Sequence, residues 1–207
     1  MNSSQLKYGE IFCFLALFFL IIILFFSKKS SQNEITKGQN DFPPIITINN
    51  AQFPFDVGQA TLTTKLKTYI ANEVVPKILN DFPKYKVNTI EVIGHTDGLK
   101  IDYQKNSNLD EILIQVAQEE NKDIGDLKAG SNADLGLMRA LAVIKELQKT
   151  KKLSQLFRKK GIDEKKVFRA YSAAQLYLPN RKIAPPDSKA NQERRRIQIR
   201  FTRLDDE

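Results

Sequence analysis

From Ile11 to Phe26 the chain is wholly apolar and carries no charge. A soluble domain has no use for such a run of Phe, Leu and Ile, because exposed it would be an aggregation site. Adding Tyr8, Gly9 and Ser27 gives a segment near the ~20 residues that cross a bilayer. A cleaved signal peptide is the rival reading. It needs a small-residue site after the apolar stretch, and the chain has Phe25-Phe26-Ser27-Lys28-Lys29 there. An uncleaved transmembrane helix over residues 8–27 is therefore expected, and any globular fold is confined to the residues C-terminal to it. Lys7 and the α-amino group precede the segment while Lys28 and Lys29 come after it. The bias of basic residues toward the cytoplasm thus favours neither orientation clearly, and slightly opposes an external distal domain.

Residues 28–44 are mostly polar and end in Pro43-Pro44, the composition of a linker. Residues 45–207 then show alternating signals. Ile45-Ile46-Thr47-Ile48 is β-branched and predicts a strand. Leu62, Leu66, Ile70, Val74 and Ile78 recur at helical spacing and predict a helix over 61–80, with Pro76 able to kink it. Val87, Ile90, Val92 and Ile93 predict a second strand running into Gly94. The polar stretch from Gly98 to Gly130 holds Leu109, Ile112, Leu113 and Val116 at helical spacing, so it predicts a short helix. One long helix is expected from Leu135 to Leu153, capped by Asn132 or Asp134. Val167, Phe168 and Ala170 suggest a third strand, residues 180–191 a Pro-containing loop, and Ile197, Ile199 and Phe201 an alternating last strand. The order β-α-β-α-β-β, with an insertion, is that of an α/β sandwich: one sheet covered by helices.

Two strings carry the chemistry. Gly94-His95-Thr96-Asp97 ends the second strand, and Asn132-Ala133-Asp134-Leu135-Gly136-Leu137-Met138-Arg139-Ala140 opens the long helix. They bring one carboxylate and one guanidinium to a strand end and a helix start, a pair suited to a zwitterionic ligand. The plainer alternative is that Asp97 and Arg139 bridge each other or cap an element. His95 is the chain's one histidine and has no Cys, His or acidic partner at ligand spacing, so it reads as a strand-end structural residue. Cys13 is the one cysteine, which excludes an intramolecular disulfide and a cysteine metal cluster. The net charge of +8 comes without zinc-finger spacing or an RNA-binding aromatic motif, so it reads as a solvated basic surface and no nucleic-acid partner is expected. No nucleophile–base pair stands out, and no enzyme activity is expected.

Four strings in order resemble the OmpA/MotB family. Phe53-x-Phe55-x-x-Gly58-x-Ala60-x-Leu62 is similar to the opening of the OmpA-like peptidoglycan-binding domain. Ile93-Gly94-His95-Thr96-Asp97 resembles its second strand and turn, and Asn132-x-x-Leu135-x-x-x-Arg139-Ala140-x-x-Val143 its binding helix. Arg194-Arg195-Arg196-Ile197 resembles its closing Asn-Arg-Arg-Val pattern. The resemblance implies an OmpA-like fold without a cofactor or metal, and binding of the wall peptide's diaminopimelate by Asp97 and Arg139. Thr96, Asn132, Leu135 and Arg195 are the further peptidoglycan-binding positions that it implies. The chain departs from the pattern at Gly136, where the family has Ser, at Arg194, where it has Asn, and in an insertion over about 99–130.

Tyr8-Gly9-Glu10-Ile11-Phe12 is similar to the start of the transmembrane helix in the B subunits of ion-driven stators. There an acid in the first turn carries the proton, and Glu10 holds that place. A carboxyl at membrane depth is costly and usually functional, though at headgroup level Glu10 is merely solvated. The resemblance implies a B-type subunit of a proton-driven stator in the cell inner membrane. Residues 1–7 would be cytoplasmic and the distal domain periplasmic. The implied partners are peptidoglycan, the membrane, a second copy of the chain in a dimer, and a MotA- or ZorA-like polytopic membrane protein. The string from Ser131 to Gly136 and the insertion before it are closer to the Zorya anti-phage kind than to the flagellar one. The alternatives are a flagellar MotB-like stator subunit and a membrane-to-wall tether without transport.

Overall fold

A computed structural model describes residues 42–50, 52, 54–56, 58–101, 106–119 and 122–204. The expected membrane segment, Glu10, the linker up to residue 41 and Phe53 lie outside the described residues. Among the described residues no helix is long and apolar enough to cross a membrane.

The part from Pro43 onward is one compact unit. Its strands are β1 (Ile46–Asn49), β2 (Thr89–His95), β3 (Phe168–Ala174) and β4 (Arg196–Thr202), ordered β1-β4-β2-β3 in one sheet. β4 lies antiparallel to both neighbours, whereas β2 and β3 are parallel. A parallel pair needs a long crossover, and the chain supplies it with helices. They are α4 (Asn132–Gln148), α5 (Lys151–Lys159) and α6 (Glu164–Val167). The period-2 alternation read in the last strand fixes which face is covered. Ile46 sits opposite Ile199, Ile48 opposite Ile197, Val92 opposite Ile199 and Ile90 opposite Phe201. All seven side chains are buried. Phe82 bridges the helices to this layer through edge-on contacts with Phe157 at 5.6 Å and Phe201 at 5.8 Å. The β-α-β-α-β-β order with an insertion is thus the observed one.

The helix expected over 61–80 begins later, at Thr64, because the Thr63 hydroxyl accepts from Leu66 N–H and caps it. It is α-helical in α1 (Thr64–Tyr69) and α2 (Val75–Asp81), joined by a π-helical turn at Ile70–Val74. Val75 N–H reaches back five residues to Ile70 O. The cause lies one residue further on. Pro76 has no N–H, and its ring would strike the carbonyl of Asn72 in a regular α-helix. The widened turn moves that carbonyl away, so the kink expected at Pro76 is absorbed as a π turn.

The single long helix expected over 135–153 is two helices. Thr150 adopts extended backbone (φ −87°, ψ 102°), so α4 stops at Gln148 and α5 restarts at Lys151. Leu147 and Leu153 are both buried, and their spacing fits a continuous or a broken helix equally. The cap of α4 is Ser131, one residue before the expected Asn132. Its hydroxyl accepts from Asp134 N–H, while Asp134 Oδ2 accepts from Ser131 N–H and Gly130 N–H. The predicted helix of the insertion is α3 (Leu109–Gln118), and Leu109, Val116, Ile124 and Leu127 join the core.

Helix α4 meets strand β2 backbone to backbone. A Cβ on Gly94 would be driven into the Gly136 carbonyl oxygen, and a Cβ on Gly136 into the Ser172 hydroxyl. The first obstacle is main chain and cannot step aside; the Ser172 hydroxyl can rotate, but the Gly94 carbonyl oxygen, 3.0 Å from a Cβ on Gly136, cannot. Gly136→Ala also gains helix propensity of ~1 kcal/mol. We expect Gly94→Ala to lower stability by about 1–3 kcal/mol, the usual cost of overpacking. Gly136→Ala should lose less than Gly94→Ala, because its closest obstacle is a side-chain hydroxyl and its helix propensity rises. Urea midpoints of the two variants check this ordering, and equal losses would refute it.

His95, at the end of β2, is 3% exposed. Its Nε2–H donates to Gln198 Oε1 at 3.2 Å, an oxygen that also accepts from Arg200. Nδ1 is buried without a partner. Burial, then the nearby Arg196, lower its pKa to about 4, against the opposing pull of the Gln198 bond. An unfolded histidine titrates near 6.5. Below that pH the unfolded chain takes up a proton that the folded one refuses. Stability is therefore whole above pH 6.5 and falls as pH drops toward 4, by on the order of 2–3 kcal/mol. Thermal melts between pH 7 and 4.5 should show this loss, and His95→Gln should flatten it.

Candidate functional site

Beyond β2 the chain turns at Thr96-Asp97, and the parallel partner β3 bulges alongside. The register slips between Gly94 and His95, Ala174 takes φ +46°, and its carbonyl accepts from Thr96 N–H at 2.8 Å. This places Asp97 above the N-terminal half of α4. Asp97 Oδ1 accepts from Leu99 N–H at 3.3 Å and Oδ2 from Asn191 N–H at 2.8 Å. Arg195 Nε lies 3.4 Å from Oδ2. Two backbone donors and one guanidinium thus hold the carboxylate, which is 4% exposed.

Arg139 stands one turn into α4 beyond Gly136 and is 2% exposed. Its Nε–H donates to Gln59 O at 3.0 Å and an Nη2–H to Asp56 O at 3.3 Å. Its guanidinium carbon lies 4.9 Å from the centre of the Phe55 ring. The loop that receives it turns at Asp56–Gln59, closed by Gln59 N–H to Asp56 O, with Gly58 at φ +70° where a side chain would be strained. Asn50 Oδ1 steadies the loop by accepting from Phe55 N–H. Burial, then Arg195, lower the Arg139 pKa to about 10, with Asp97 acting in the opposite sense. The group therefore stays cationic at neutral pH.

Asp97 and Arg139 line one cavity of about 480 Å³ without an ion pair between them. The two do not bridge each other: Asp97 pairs with Arg195. Of the plainer alternative, the part in which each satisfies backbone is present, Asp97 at the N–H groups of Leu99 and Asn191 and Arg139 at the carbonyls of Gln59 and Asp56. A buried carboxylate and a buried guanidinium facing one space can hold an ammonium and a carboxylate of the same ligand. Asn132, Leu135 and Arg195 also line this cavity. Thr96 does not: its hydroxyl is sealed from solvent and has no hydrogen-bond partner.

The run Arg194-Arg195-Arg196 leads from a turn into β4, and its members do different work. Arg195 lines the cavity, and its two neighbours do not. Arg194 is 2% exposed and binds Asp187 Oδ1 at 2.9 Å and Gln175 O at 2.8 Å. Arg196 donates to the carbonyls of Tyr177, Leu178 and Arg194. Both staple the segment between β3 and β4.

The insertion forms much of the cavity's other wall through Leu99, Lys100, Ile124 and Lys128, among others. Asn132 Nδ2–H donates to Leu99 O, tying its start to α4. Asn108 donates to Asp126 O and accepts from Lys128 N–H, closing the insertion on itself. Lys145, on α4, donates to the carbonyls of Val116, Glu119 and Lys122 at 2.8–2.9 Å. An ammonium at a helix C-terminus meets both orphan carbonyls and the negative end of the dipole. Lys145 carries no local sequence signature, and its role emerges only when α3 docks. Among the described residues there is no group of three His, Cys, Asp or Glu able to hold a metal.

No protein-family model matches the chain, and no curated protein matches it. Solved structures do. The periplasmic domain of MotB from Helicobacter pylori aligns over 79% of this chain and 78% of its own, at 18% identity and a TM-score of 0.45. A putative MotB-like protein from Desulfovibrio vulgaris aligns over 77% and 75%, at 15% identity and a TM-score of 0.42. The OmpA-like domain of FopA1 from Francisella tularensis aligns over 80% and 84%, at 15% identity and a TM-score of 0.32.

Proposed function

We propose that the chain is the B-type subunit of a membrane proton-driven stator that anchors it to peptidoglycan, in Zorya-like anti-phage defence. The observation that carries the anchoring part is the shared cavity of Asp97 and Arg139. The two are not paired with each other: Asp97 is held by Arg195 and two backbone N–H groups, and Arg139 by two backbone carbonyls, so both are fixed in place beside the same space. Diaminopimelate presents an ammonium and a carboxylate on one carbon, which matches such a pair. In this reading the site binds and orients its ligand. The apolar run before the linker supports a single-pass anchor with the domain in the periplasm. Glu10 at its head supports ion coupling with a MotA- or ZorA-like polytopic partner, around two copies of this chain.

Asp97→Asn keeps shape and loses charge, and Arg139→Lys keeps charge and loses the planar fork. Each removes a charge-assisted contact typically worth ~1.5–3 kcal/mol, which is about 10- to 150-fold in affinity. The full chain in detergent should pellet with purified sacculi, and both variants should fail to do so while still unfolding cooperatively, at a lowered melting temperature because each loses buried contacts. Normal pelleting by both would overturn the site.

Glu10→Gln removes a titratable group at the membrane edge without adding charge, so membrane insertion and wall binding should be unchanged. Phage resistance should be lost, and Glu10→Asp should retain part of it because its carboxyl still titrates. An infection assay with membrane levels checked by immunoblot tests this. Full resistance of Glu10→Gln at normal abundance would favour a tether without transport.

A further inference from the structure

The charge around the cavity is not balanced. Four cations line it, Lys100, Lys128, Arg139 and Arg195, against one carboxylate, Asp97, leaving a formal surplus of +3. A ligand made only of one ammonium and one carboxylate leaves that surplus unmatched. Among the described residues no other acid lines the cavity. Of the nearby acids, Asp123 accepts from Gly125 N–H, Asp126 from Asp123 N–H, and Asp134 from Gly130 and Ser131 N–H, each closing its own turn. Among the described residues neither lysine has a salt bridge.

Both lysines rise from anchored backbone. Lys100 comes directly after Leu99, whose N–H donates to Asp97 and whose carbonyl accepts from Asn132. Lys128 exchanges two hydrogen bonds with Asn108, through its N–H and its carbonyl. Their side chains are flexible, but their roots are fixed beside the cavity, on the wall that the insertion supplies.

Resting on the wall-peptide reading above, we propose that Lys100 and Lys128 form an anion subsite added by the insertion. The ligand it selects is a short peptide that carries at least one free carboxylate beyond its ammonium–carboxylate end. The subsite sets which form of the stem peptide is taken: the free acid is favoured and the amidated form is not.

The test uses the full chain in detergent and two synthetic stem peptides, each ending in free zwitterionic diaminopimelate. In one the remaining carboxyls are free, and in the other they are amidated. Binding is measured by calorimetry at low and high salt. The parent should bind the free-acid peptide at least tenfold more tightly, with the preference shrinking at high salt. Lys100→Gln/Lys128→Gln should bring the two affinities within twofold while leaving the amidated peptide's affinity and the melting temperature unchanged. Both lysines are exposed, so the substitutions leave the core intact. Equal affinities in the parent, or a preference kept by the double variant, would overturn the subsite alone. Failure of the parent to bind either peptide would overturn the wall-peptide reading and the subsite with it.

Discussion

The contact between Gly94 and Gly136 governs where everything else lies. Two main chains touch there with no side chain between them, which sets the distance and rotation of α4 on β2. Asp97 is three residues beyond one glycine and Arg139 three residues beyond the other. One turn of helix and one turn after a strand carry the two charges from that contact to a common space. A bulkier residue at the crossing would separate the layers and part the charges, although neither charge touches the crossing itself. The site's geometry is thus inherited from packing that contains no polar side chain of the site.

Much of this was legible in the sequence, for identifiable reasons. Ile197, Ile199 and Phe201 alternate because one face of β4 is buried, so sequence period and burial are one observation. Leu66, Ile70, Val74 and Ile78 keep helical spacing because they share a buried face. The paired strings around Asp97 and Arg139 pointed to the cavity that both line. What escaped was whatever depends on tertiary docking or on one dihedral angle. Thr150 ends a helix through its backbone conformation, in the middle of spacing that suits a continuous helix. Thr96 neighbours Asp97 yet does not line the cavity, and its hydroxyl is sealed in the interior at the turn beyond β2.

The insertion shows the same limit from the other direction. Its helix was visible in Leu109, Ile112, Leu113 and Val116, but its placement depends on Lys145, Asn108 and Asn132, which are far apart in sequence. Polar side chains serve there as joints between pieces of main chain. Each satisfies carbonyls or amides that would otherwise be stranded at the ends of short elements. Among the described residues of a segment that composition alone reads as polar and irregular, these joints tie main chain to main chain beside the cavity.

The π turn at Ile70–Val74 has a consequence for how this chain tolerates changes in length. It holds one residue more than a regular helical turn, and Val74 and Val75 are both buried across it. Each helical residue advances the direction of a side chain by about 100°. Deleting a single residue there would restore regular geometry, whereas the same deletion elsewhere in 64–81 would swing one half of the buried stripe toward water. The turn is the one slack link in that helix. Only while Pro76 comes after it is that slack needed, so replacing the proline and removing one residue form a matched pair of changes that the fold can absorb together.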